Sequence, residues 1–259
     1  MSTTNPLLVT RRFVGRQLER TGAWVGALTR NRIRSHDVVV DTSSRWISDE
    51  TRAALFWGFY EGAERRAIAR YLRPELDVIE LGASIGFLSV LIARRIRSRK
   101  LVAVEANPEL IPILERNLSH NGVRDVQVVN QAVAYGTDHV AFQLLHDTAS
   151  GHIAASGSCG EDIRHVPSTT LGRLVESREL GDFALVCDVE GAEYEIFAHE
   201  GEAVRRKCRQ AIMELHEVER DGRRWSREEL ADHLSRQWGM QIVHGDGKVW
   251  VFEAAPTRA

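Results

Sequence analysis

The sequence predicts an α/β domain in which a mostly parallel sheet is covered on both faces by helices. Two observations favour this fold class. Short, wholly apolar runs such as 101–104 and 183–186 alternate with amphipathic helical patterns, as in sheets that are buried on both faces. One strand pattern also leads directly into a glycine-containing turn and a helix. With 259 residues, of which 43% are hydrophobic and 27% charged, the chain can bury one such core.

The predicted elements follow one another in the order that this fold requires. We expect core strands at 77–81, 101–105, 126–129, 183–189 and 211–216, and a further short strand at 139–145. We expect helices at 50–72, at 87–97, from Asn107-Pro108 to Asn121-Gly122, near 170–175 and after the capping box Ser226–Glu229. Two β patterns around Gly245–Gly247 predict a closing hairpin, whereas the polar stretch 149–162 predicts a loop.

The region before this alternation has a different character. Residues 1–60 are predicted to form a helical extension or lid, and residues 61–259 the main domain. Arginines recur among apolar residues in 1–35, which fits a basic helix at a membrane surface or an ordinary packing helix; the imperfect periodicity favours the second. Because these arginines interrupt any apolar leader core, no signal peptide is predicted.

Charge and cysteine content narrow the expected partners and compartment. The formal net charge of -2 gives no overall attraction to nucleic acid or to a membrane. The basic run 94–100 falls at a predicted helix C-terminus, where the helix dipole favours cations. We therefore expect no nucleic-acid partner. The three cysteines lie far apart, which indicates reduced thiols in a cytoplasmic protein.

The stretch DVIELGASIGFLS at 77–89 has the strand–turn–helix order of a nucleotide-binding loop. Gly82 permits a sharp turn, and Gly86 permits close packing at the start of a helix whose free N–H groups can face an anion. Glu105 ends the next predicted strand, where a carboxylate can accept hydrogen bonds from both hydroxyls of a ribose. The glycines alone are a weak signal, and Glu105 strengthens it.

The details of this loop narrow the choice of ligand. Ser84 and Phe87 stand where a dinucleotide fingerprint has its later glycines, and the chain has no G-x-x-x-x-G-K-[ST] sequence. A ligand with a ribose and an adenine but no phosphate fits better, and S-adenosylmethionine is such a ligand. A nicotinamide-dependent oxidoreductase is the less favoured alternative.

Several longer stretches together resemble FkbM-type methyltransferases. They are ELGASIGFLSV, AVEANPELIPILERNLSHNG, QAVA, VPSTTL, CDVEGAEYEIF and IMELH, and they cover roughly residues 55–255. The resemblance implies a Rossmann-like class I methyltransferase fold, with a seven-stranded, mostly parallel sheet whose antiparallel last strand lies between strands five and six. It also implies S-adenosyl-L-methionine as the cofactor. The methyl group would be transferred to a sugar hydroxyl of a glycan, a glycolipid or a glycosylated metabolite.

The resemblance further implies cofactor roles residue by residue. Glu105 would hold the ribose hydroxyls, while Ala106 and Asn107 would flank the adenine. The complete expected cofactor set is Glu80, Gly82, Ala83, Ser84, Gly86, Glu105, Ala106, Asn107, Gln131 and Ala132.

Two carboxylates and a histidine are predicted to act on the acceptor. Asp188 and Glu190 share one side of the fourth core strand's end, and His216 ends the fifth, at the edge where open α/β sheets bind ligands. Either residue type can take a proton from the acceptor. Alternatively, Asp188 caps backbone N–H groups and His216 bonds a loop. We predict Asp188, Glu190 and His216 as catalytic groups.

The remaining site residues are weaker candidates. Tyr60, Glu61 and His152 are expected to contact the acceptor, with packing or simple solvation as the alternative. Glu214 could join Asp188 and Glu190 around a magnesium ion, but no spacing requires it and no metal is expected. The neighbouring acids Glu193 and Glu195 are assigned to the first turn of a helix, away from the site.

The predicted function is therefore a cytoplasmic S-adenosylmethionine-dependent O-methyltransferase with a small-molecule or glycan acceptor. A homodimer is compatible with this prediction. One alternative is a methyltransferase for nitrogen or for a protein side chain. Another is a cofactor-binding scaffold without catalysis, because the glycine loop and Glu105 only bind.

Overall fold

The computed structural model describes residues 22, 24–144, 152–153, 160, 162–220 and 222–255. The strands are β1 (Arg32–Ser35), β2 (Val38–Asp41), β3 (Asp77–Leu81), β4 (Leu101–Val104), β5 (Val126–Val129), β6 (Ala132–Val133), β7 (His139–Gln143), β8 (His152–Ile153), β9 (Ile163–Thr169), β10 (Phe183–Cys187), β11 (Cys208–Glu214), β12 (Val218–Arg220), β13 (Arg223–Trp225), β14 (Met240–Gly245) and β15 (Val249–Ala254). The helices with fully described bounds are α1 (Asp49–Trp57), α2 (Gly62–Tyr71), α3 (Phe87–Ile96), α4 (Ile111–His120), α5 (Leu171–Ser177), α6 (Glu193–His199), α7 (Glu202–Lys207) and α8 (Arg227–Trp238).

Seven strands form the central sheet, in the order β14-β15-β11-β10-β3-β4-β5. The five strands from β11 to β5 pair in parallel. The last strand of the chain runs antiparallel to both of its neighbours, so it is inserted between the fifth and sixth strands. The predicted fold, a Rossmann-like and mostly parallel seven-stranded sheet with an antiparallel C-terminal hairpin strand, is confirmed.

The central sheet is apolar on both faces, because the side chains of its strands alternate between a hydrophobic core on one face and a second core on the other. Val78 and Ala184 point into the core on one face, whereas Ile79 and Leu185 point into the core on the other. Every residue of β3 and β10 is buried. Apolar residues on both faces of these strands therefore follow from the helices that cover both sides.

A second, smaller sheet lies beside the main one, in the order β6-β9-β7-β8. The strand expected at 139–145 is confirmed as His139–Gln143. The expected loop 149–162 contains β8, which pairs with β7, and most of its other residues lie outside the described part of the chain.

Two helix predictions were wrong in detail. The segment 50–72, predicted as one helix, forms two. Gly58 adopts a left-handed conformation (φ 75°) that ends α1, and Glu61 adopts a left-handed conformation (φ 46°) just before α2 begins. Asn107 accepts a hydrogen bond from the Glu109 N–H at 2.9 Å, but this caps a turn, and α4 begins only at Ile111. Helix α8 begins at the predicted capping box and ends at Gly239.

The described part of residues 1–60 joins the main core. The β1–β2 hairpin, which the sequence reading missed, packs on α3 and α4, and Val38 and Val40 belong to the same apolar core as Val78. Most of the basic segment 1–35 that could have met a membrane lies outside the described residues, and a lid role stays a prediction. Among the described residues, no helix combines the length and the apolar character needed to cross a membrane.

Candidate active site

The turn after β3 is built around two glycines in left-handed conformations. Gly82 and Gly86 have φ values of 83° and 80°. At Gly82 a Cβ would lie 1.9 Å from the carbonyl oxygen of Asp188, because the chain leaves β3 directly beside the end of β10. At Gly86 a Cβ would lie 3.2 Å from Cγ of Leu114. The second glycine therefore permits the close packing expected at the start of the helix, here between α3 and α4.

Glu105 holds this turn against the end of β4. Its Oε2 accepts a hydrogen bond from the Ser84 N–H at 2.8 Å, and its Oε1 accepts one from the Asn107 N–H at 2.7 Å. Burial raises the pKa of Glu105, and these backbone bonds oppose the rise. Ser84 has a φ of 48°, which is uncommon for residues other than glycine. The hydrogen bond from its N–H to Glu105 stabilises this conformation. Each carboxylate oxygen has a further lone pair with which to accept a ligand hydroxyl.

The turn opens into a cleft of about 430 Å³, a volume typical of small-molecule sites. Seven of the expected cofactor residues line it, and we call them the cofactor wall: Gly82, Ser84, Glu105, Ala106, Asn107, Gln131 and Ala132. Three of the expected cofactor residues, all of them described, do not line this cleft. Ala83 is buried, Gly86 begins α3, and Glu80 is buried where the Ser89 hydroxyl donates to it at 2.6 Å.

The chemistry of the cofactor wall fits S-adenosylmethionine. Glu105 offers carboxylate oxygens for a ribose, and Val104, Leu110 and Val133 provide an apolar surface for adenine. Gly82 presents backbone without a side chain. No lysine stands in the turn, in keeping with a ligand that has no phosphate.

The ends of β10 and β11 bring carboxylates into the same cleft. Asp188, Glu190 and Glu214 line it, and His216 lies against them; we call these four residues the acceptor wall. His216 Nε2 lies 3.3 Å from Glu214 Oε1, 3.4 Å from Glu190 Oε2 and 3.9 Å from Asp188 Oδ1. The three residues predicted to be catalytic therefore meet at one point, although their individual roles stay predictions.

Two of the three carboxyl groups in the acceptor wall, those of Asp188 and Glu190, have raised pKa values, whereas at Glu214 the effect of burial is outweighed by hydrogen bonds from His216 and Lys248, which lower its pKa to about 2. Burial raises the pKa of Asp188 well above its usual value, and the neighbouring Glu214 raises it further, while His216 opposes the rise. Burial also raises the pKa of Glu190, against the opposing charge of His216. A carboxyl group with a raised pKa is a better proton acceptor near neutral pH than an ordinary one.

Glu193 belongs to this site, contrary to the expectation that it faces away. It does lie in the first turn of α6, but its side chain is fully buried and its Oε1 lies 3.2 Å from His216 Nδ1. The same oxygen accepts a hydrogen bond from the Val189 N–H at 3.3 Å. Burial lowers the pKa of His216, but hydrogen bonds to Glu193 and Glu214 outweigh it and raise this pKa to about 10.

Two charged residues of the cleft, Glu64 and Lys248, are not predicted from the sequence. Lys248 Nζ lies 2.7 Å from Glu214 Oε2 and 3.6 Å from Glu64 Oε1. Burial and the contact with Glu214 raise the pKa of Glu64 to about 7. Glu64 lies on an amphipathic helix and Lys248 beside a hairpin turn, so each resembles an ordinary surface charge. No local pattern could have identified them.

The weaker substrate candidates are placed as follows. Tyr60 and Glu61 line the cleft, and the Tyr60 hydroxyl lies 3.4 Å from Ser84 Oγ. The Tyr60 ring also packs edge-on against Phe87 with centroids 5.6 Å apart, so the packing alternative holds for this ring as well. His152 lies in β8, but its side chain is outside the described part, and its contact with an acceptor stays a prediction.

A family model matches residues 39–149 of the chain: the TRM5/TYW2 methyltransferase domain, which belongs to tRNA-modifying enzymes. The match begins in β2 and includes the whole cofactor wall. It spans fewer than half of the 259 residues and ends before Asp188 and His216.

Solved structures with low sequence identity also match. The ribosomal protein L11 methylase from Lactobacillus delbrueckii subsp. bulgaricus is 12% identical, with a TM-score of 0.46, over 76% of this chain and 80% of that chain. TYW2 from M. jannaschii, solved in complex with AdoMet, is 13% identical, with a TM-score of 0.45, over 86% of each chain. A putative tRNA (m1A22) methyltransferase from Streptococcus pneumoniae is 13% identical, with a TM-score of 0.42, over 75% of this chain and 70% of that chain.

The enzyme class and its cofactor are confirmed: the chain is an S-adenosylmethionine-dependent methyltransferase. The resemblance to FkbM-type enzymes was wrong, because the family model that matches is TRM5/TYW2. The expectation of no nucleic-acid partner was wrong for the same reason, since a net charge averages over the whole surface and does not exclude a local contact. Methylation of a sugar hydroxyl has no support. Cytoplasmic localisation and a homodimer stay predictions.

Proposed function

We propose that this enzyme methylates a nucleotide of tRNA. The observation that carries the proposal is the match of residues 39–149 to the TRM5/TYW2 methyltransferase domain, because the enzymes of that family modify tRNA. The acceptor wall lines the same cleft, so an acceptor that enters there comes close to the bound cofactor.

The acceptor wall suits a group that carries a proton. Methyl transfer from a sulfonium requires the acceptor atom to be aligned with the methyl carbon and to lose its proton. The carboxyl groups of Asp188 and Glu190, with raised pKa values, can accept a hydrogen bond and then the proton from an N–H or O–H of a nucleotide. These residues would orient the acceptor and act as the base.

The cleft opening offers an apolar surface to a base. Phe59 and Ile153 line the cleft and are 74% and 40% exposed. Phe56 and Trp57, just before Phe59 in the chain, are also exposed. Unpaired bases stack on exposed aromatic rings, and enzymes that modify a base take it out of its helix into a pocket. This opening therefore supports an unstacked nucleotide as the acceptor.

The test is methyl transfer with labelled cofactor. The purified enzyme is incubated with radiolabelled S-adenosylmethionine and total tRNA, with tRNA digested beforehand by ribonuclease, and with a protein and small-molecule extract. We expect label in intact tRNA only, and digestion to nucleosides should give one methylated product. Label that enters the protein or small-molecule fraction instead would overturn the proposed acceptor. Asp188→Asn serves as the inactive control.

A further inference from the structure

We propose that Glu61 binds the α-ammonium group of S-adenosylmethionine. The cofactor wall offers groups for the ribose and the adenine, and its one charged side chain, Glu105, is placed for the ribose. The amino-acid part of the cofactor has no charged partner among these residues. This role differs from the contact with the acceptor that the sequence predicts for Glu61. It concerns the cofactor alone and is independent of the identity of the acceptor.

Glu61 lies on the side of the cleft that the ribose and the adenine leave free. The central sheet runs in the order β10-β3-β4-β5 at this point, and Glu105 follows β4. The apolar surface for adenine includes Val133 of β6, which follows β5 in the chain. A ligand with its ribose at Glu105 and its adenine towards β5 therefore extends its amino-acid part towards β3 and β10. Glu61 lines the cleft there, because the hydroxyl of the preceding Tyr60 lies 3.4 Å from Ser84 Oγ in the turn after β3.

Glu61 carries the cleft carboxylate that has no cationic partner. Six of the described residues that line the cleft carry a carboxyl group. Five of them are engaged: Glu105 by backbone N–H groups, Asp188 and Glu190 by His216, and Glu64 and Glu214 by Lys248. Within the described part of the chain, Glu61 forms no ion pair. An ammonium group that enters the cleft therefore meets no competing protein cation at this carboxylate.

The surroundings of Glu61 favour a cationic ligand. Burial raises the pKa of Glu61 well above its usual value, and the charges of Asp188, Glu64 and Glu80 raise it further, while a hydrogen bond with Tyr60 opposes the rise. A positive charge placed beside such a carboxyl group stabilises its ionised form. Hydrogen bonds between an ammonium and a carboxylate are roughly twice as strong as neutral ones. Binding an ammonium therefore stabilises Glu61 more than it would stabilise a solvated carboxylate.

The side chain of Glu61 has no capping role in its own helix. Glu61 precedes α2 in a left-handed conformation (φ 46°), and its side chain makes no capping hydrogen bond. An acidic residue at this position commonly accepts such a bond. Glu61 is half-buried and lines the cleft instead. Its carboxylate is therefore available to a ligand in the cleft rather than to the backbone of α2.

The test compares two ligands that differ by one group: S-adenosylhomocysteine and its analogue without the α-amino group. Calorimetry with the full chain gives the dissociation constant of each ligand. We expect the wild type to bind S-adenosylhomocysteine roughly 10- to 100-fold more tightly than the analogue, the usual effect of a hydrogen bond between charged groups. Glu61→Gln should lose this preference and bind the two ligands within about twofold of each other.

Glu64→Gln is the matched control. Glu64 lies on α2, three residues after Glu61, and lines the same cleft, but it faces Lys248. The control should therefore keep the wild-type preference for the ligand that carries the amino group. Thermal melting of each variant without ligand confirms that it is folded.

Two outcomes would overturn the proposal. If the wild type binds both ligands equally well, no carboxylate of the cleft receives the ammonium. If Glu61→Gln keeps the wild-type preference, whether or not its overall affinity changes, another group receives the ammonium. Neither result affects the labelling experiment with tRNA, so the two proposals fail separately.

Discussion

The cofactor wall and the acceptor wall line one cleft but are built in different ways. In the cofactor wall a single carboxylate, Glu105, is satisfied by backbone N–H groups of Ser84 and Asn107, which lie in the turns that follow β3 and β4. In the acceptor wall, side chains face side chains: His216 meets the carboxylates of Asp188 and Glu190, which come from a different strand end.

This difference separates the two tasks of the cleft. Backbone donors are rigid, so the cofactor wall is organised before any ligand arrives. In the acceptor wall three carboxyl groups crowd one imidazole, and within the described residues Asp188 Oδ1 is buried without a hydrogen-bond partner, which costs stability until a proton-bearing acceptor is present. Substitutions in the cofactor wall should therefore change folding or cofactor affinity, and substitutions in the acceptor wall should change turnover.

The largest expected effect is on folding, at Gly82. Gly82→Ala places a Cβ 1.9 Å from the Asp188 carbonyl oxygen, in a left-handed conformation, and backbone cannot move aside cheaply. We expect a loss of more than about 3 kcal/mol of unfolding free energy. Gly122→Ala is the control, because Gly122 has a similar φ (70°) with no atom within 4 Å. It should lose only about 1–2 kcal/mol. Equal losses in urea unfolding would show that contact with β10 does not matter.

Asp188→Asn should change turnover without changing cofactor affinity. The amide keeps the shape of the side chain but cannot accept a proton as a carboxylate does. We expect kcat to fall by roughly 10²- to 10⁴-fold, the usual contribution of a proton-transfer group. Affinity for S-adenosylhomocysteine, measured by calorimetry, should stay within about twofold. A parallel loss of affinity would show that the two walls are not separable.

The buried acid Glu80, beside the cofactor wall, should make stability depend on pH. Burial raises the pKa of Glu80 to about 8, against the opposing hydrogen bond from Ser89. Between its ordinary value of 4.5 and about 8 the folded chain binds more protons than the unfolded chain. Stability from this group is therefore present at low pH and is lost as the pH rises through that window.

Glu80→Gln removes this titration. The free energy of unfolding of the wild type, relative to the variant, should fall by up to about 1.4 kcal/mol per pH unit across the window. Urea unfolding at pH 5, 6.5 and 8, without cofactor, measures it. Parallel pH profiles for the two proteins would mean that Glu80 does not titrate there.

Glu105→Gln should weaken the cofactor wall alone. An amide has one oxygen in place of two, so one of the N–H groups of Ser84 and Asn107 would face an NH₂ group and lose its acceptor. The cost is about 1–3 kcal/mol, or roughly tenfold or more in affinity for S-adenosylhomocysteine. At saturating cofactor kcat should change far less than in Asp188→Asn. An equal fall in kcat would contradict this division of labour.

The cofactor wall could be predicted from the sequence because its signals are local. The strand 77–81 was predicted with correct bounds, and Gly82, Gly86 and Glu105 follow strand ends at recognisable spacing. Parallel strands buried on both faces give uninterrupted apolar runs, which need no tertiary information to detect. The break at Gly58 was missed because an isolated glycine is tolerated within many helices.

The acceptor wall was predicted only in part because its connections are tertiary. Asp188, Glu190 and His216 were found from their positions at strand ends. Glu193 was assigned to a helix start, which is correct for its backbone, but nothing local shows that its side chain is buried against His216. The FkbM resemblance failed for a related reason: short motifs around a cofactor site are shared across methyltransferase families, so they do not single out one family.

The smallest expected effect lies at the cleft opening. Phe59 is 74% exposed and lines the cleft, so Phe59→Ala should remove a stacking surface for a base while leaving the core intact. We expect the KM for tRNA to rise about fivefold, the lower end of the range for one base–aromatic contact, with kcat and thermal stability unchanged. Trp24→Ala is the matched control, because Trp24 is 81% exposed and is not among the described residues that line the cleft. If both variants keep the wild-type KM, the acceptor enters without stacking on this ring, and recognition lies with the acceptor wall alone.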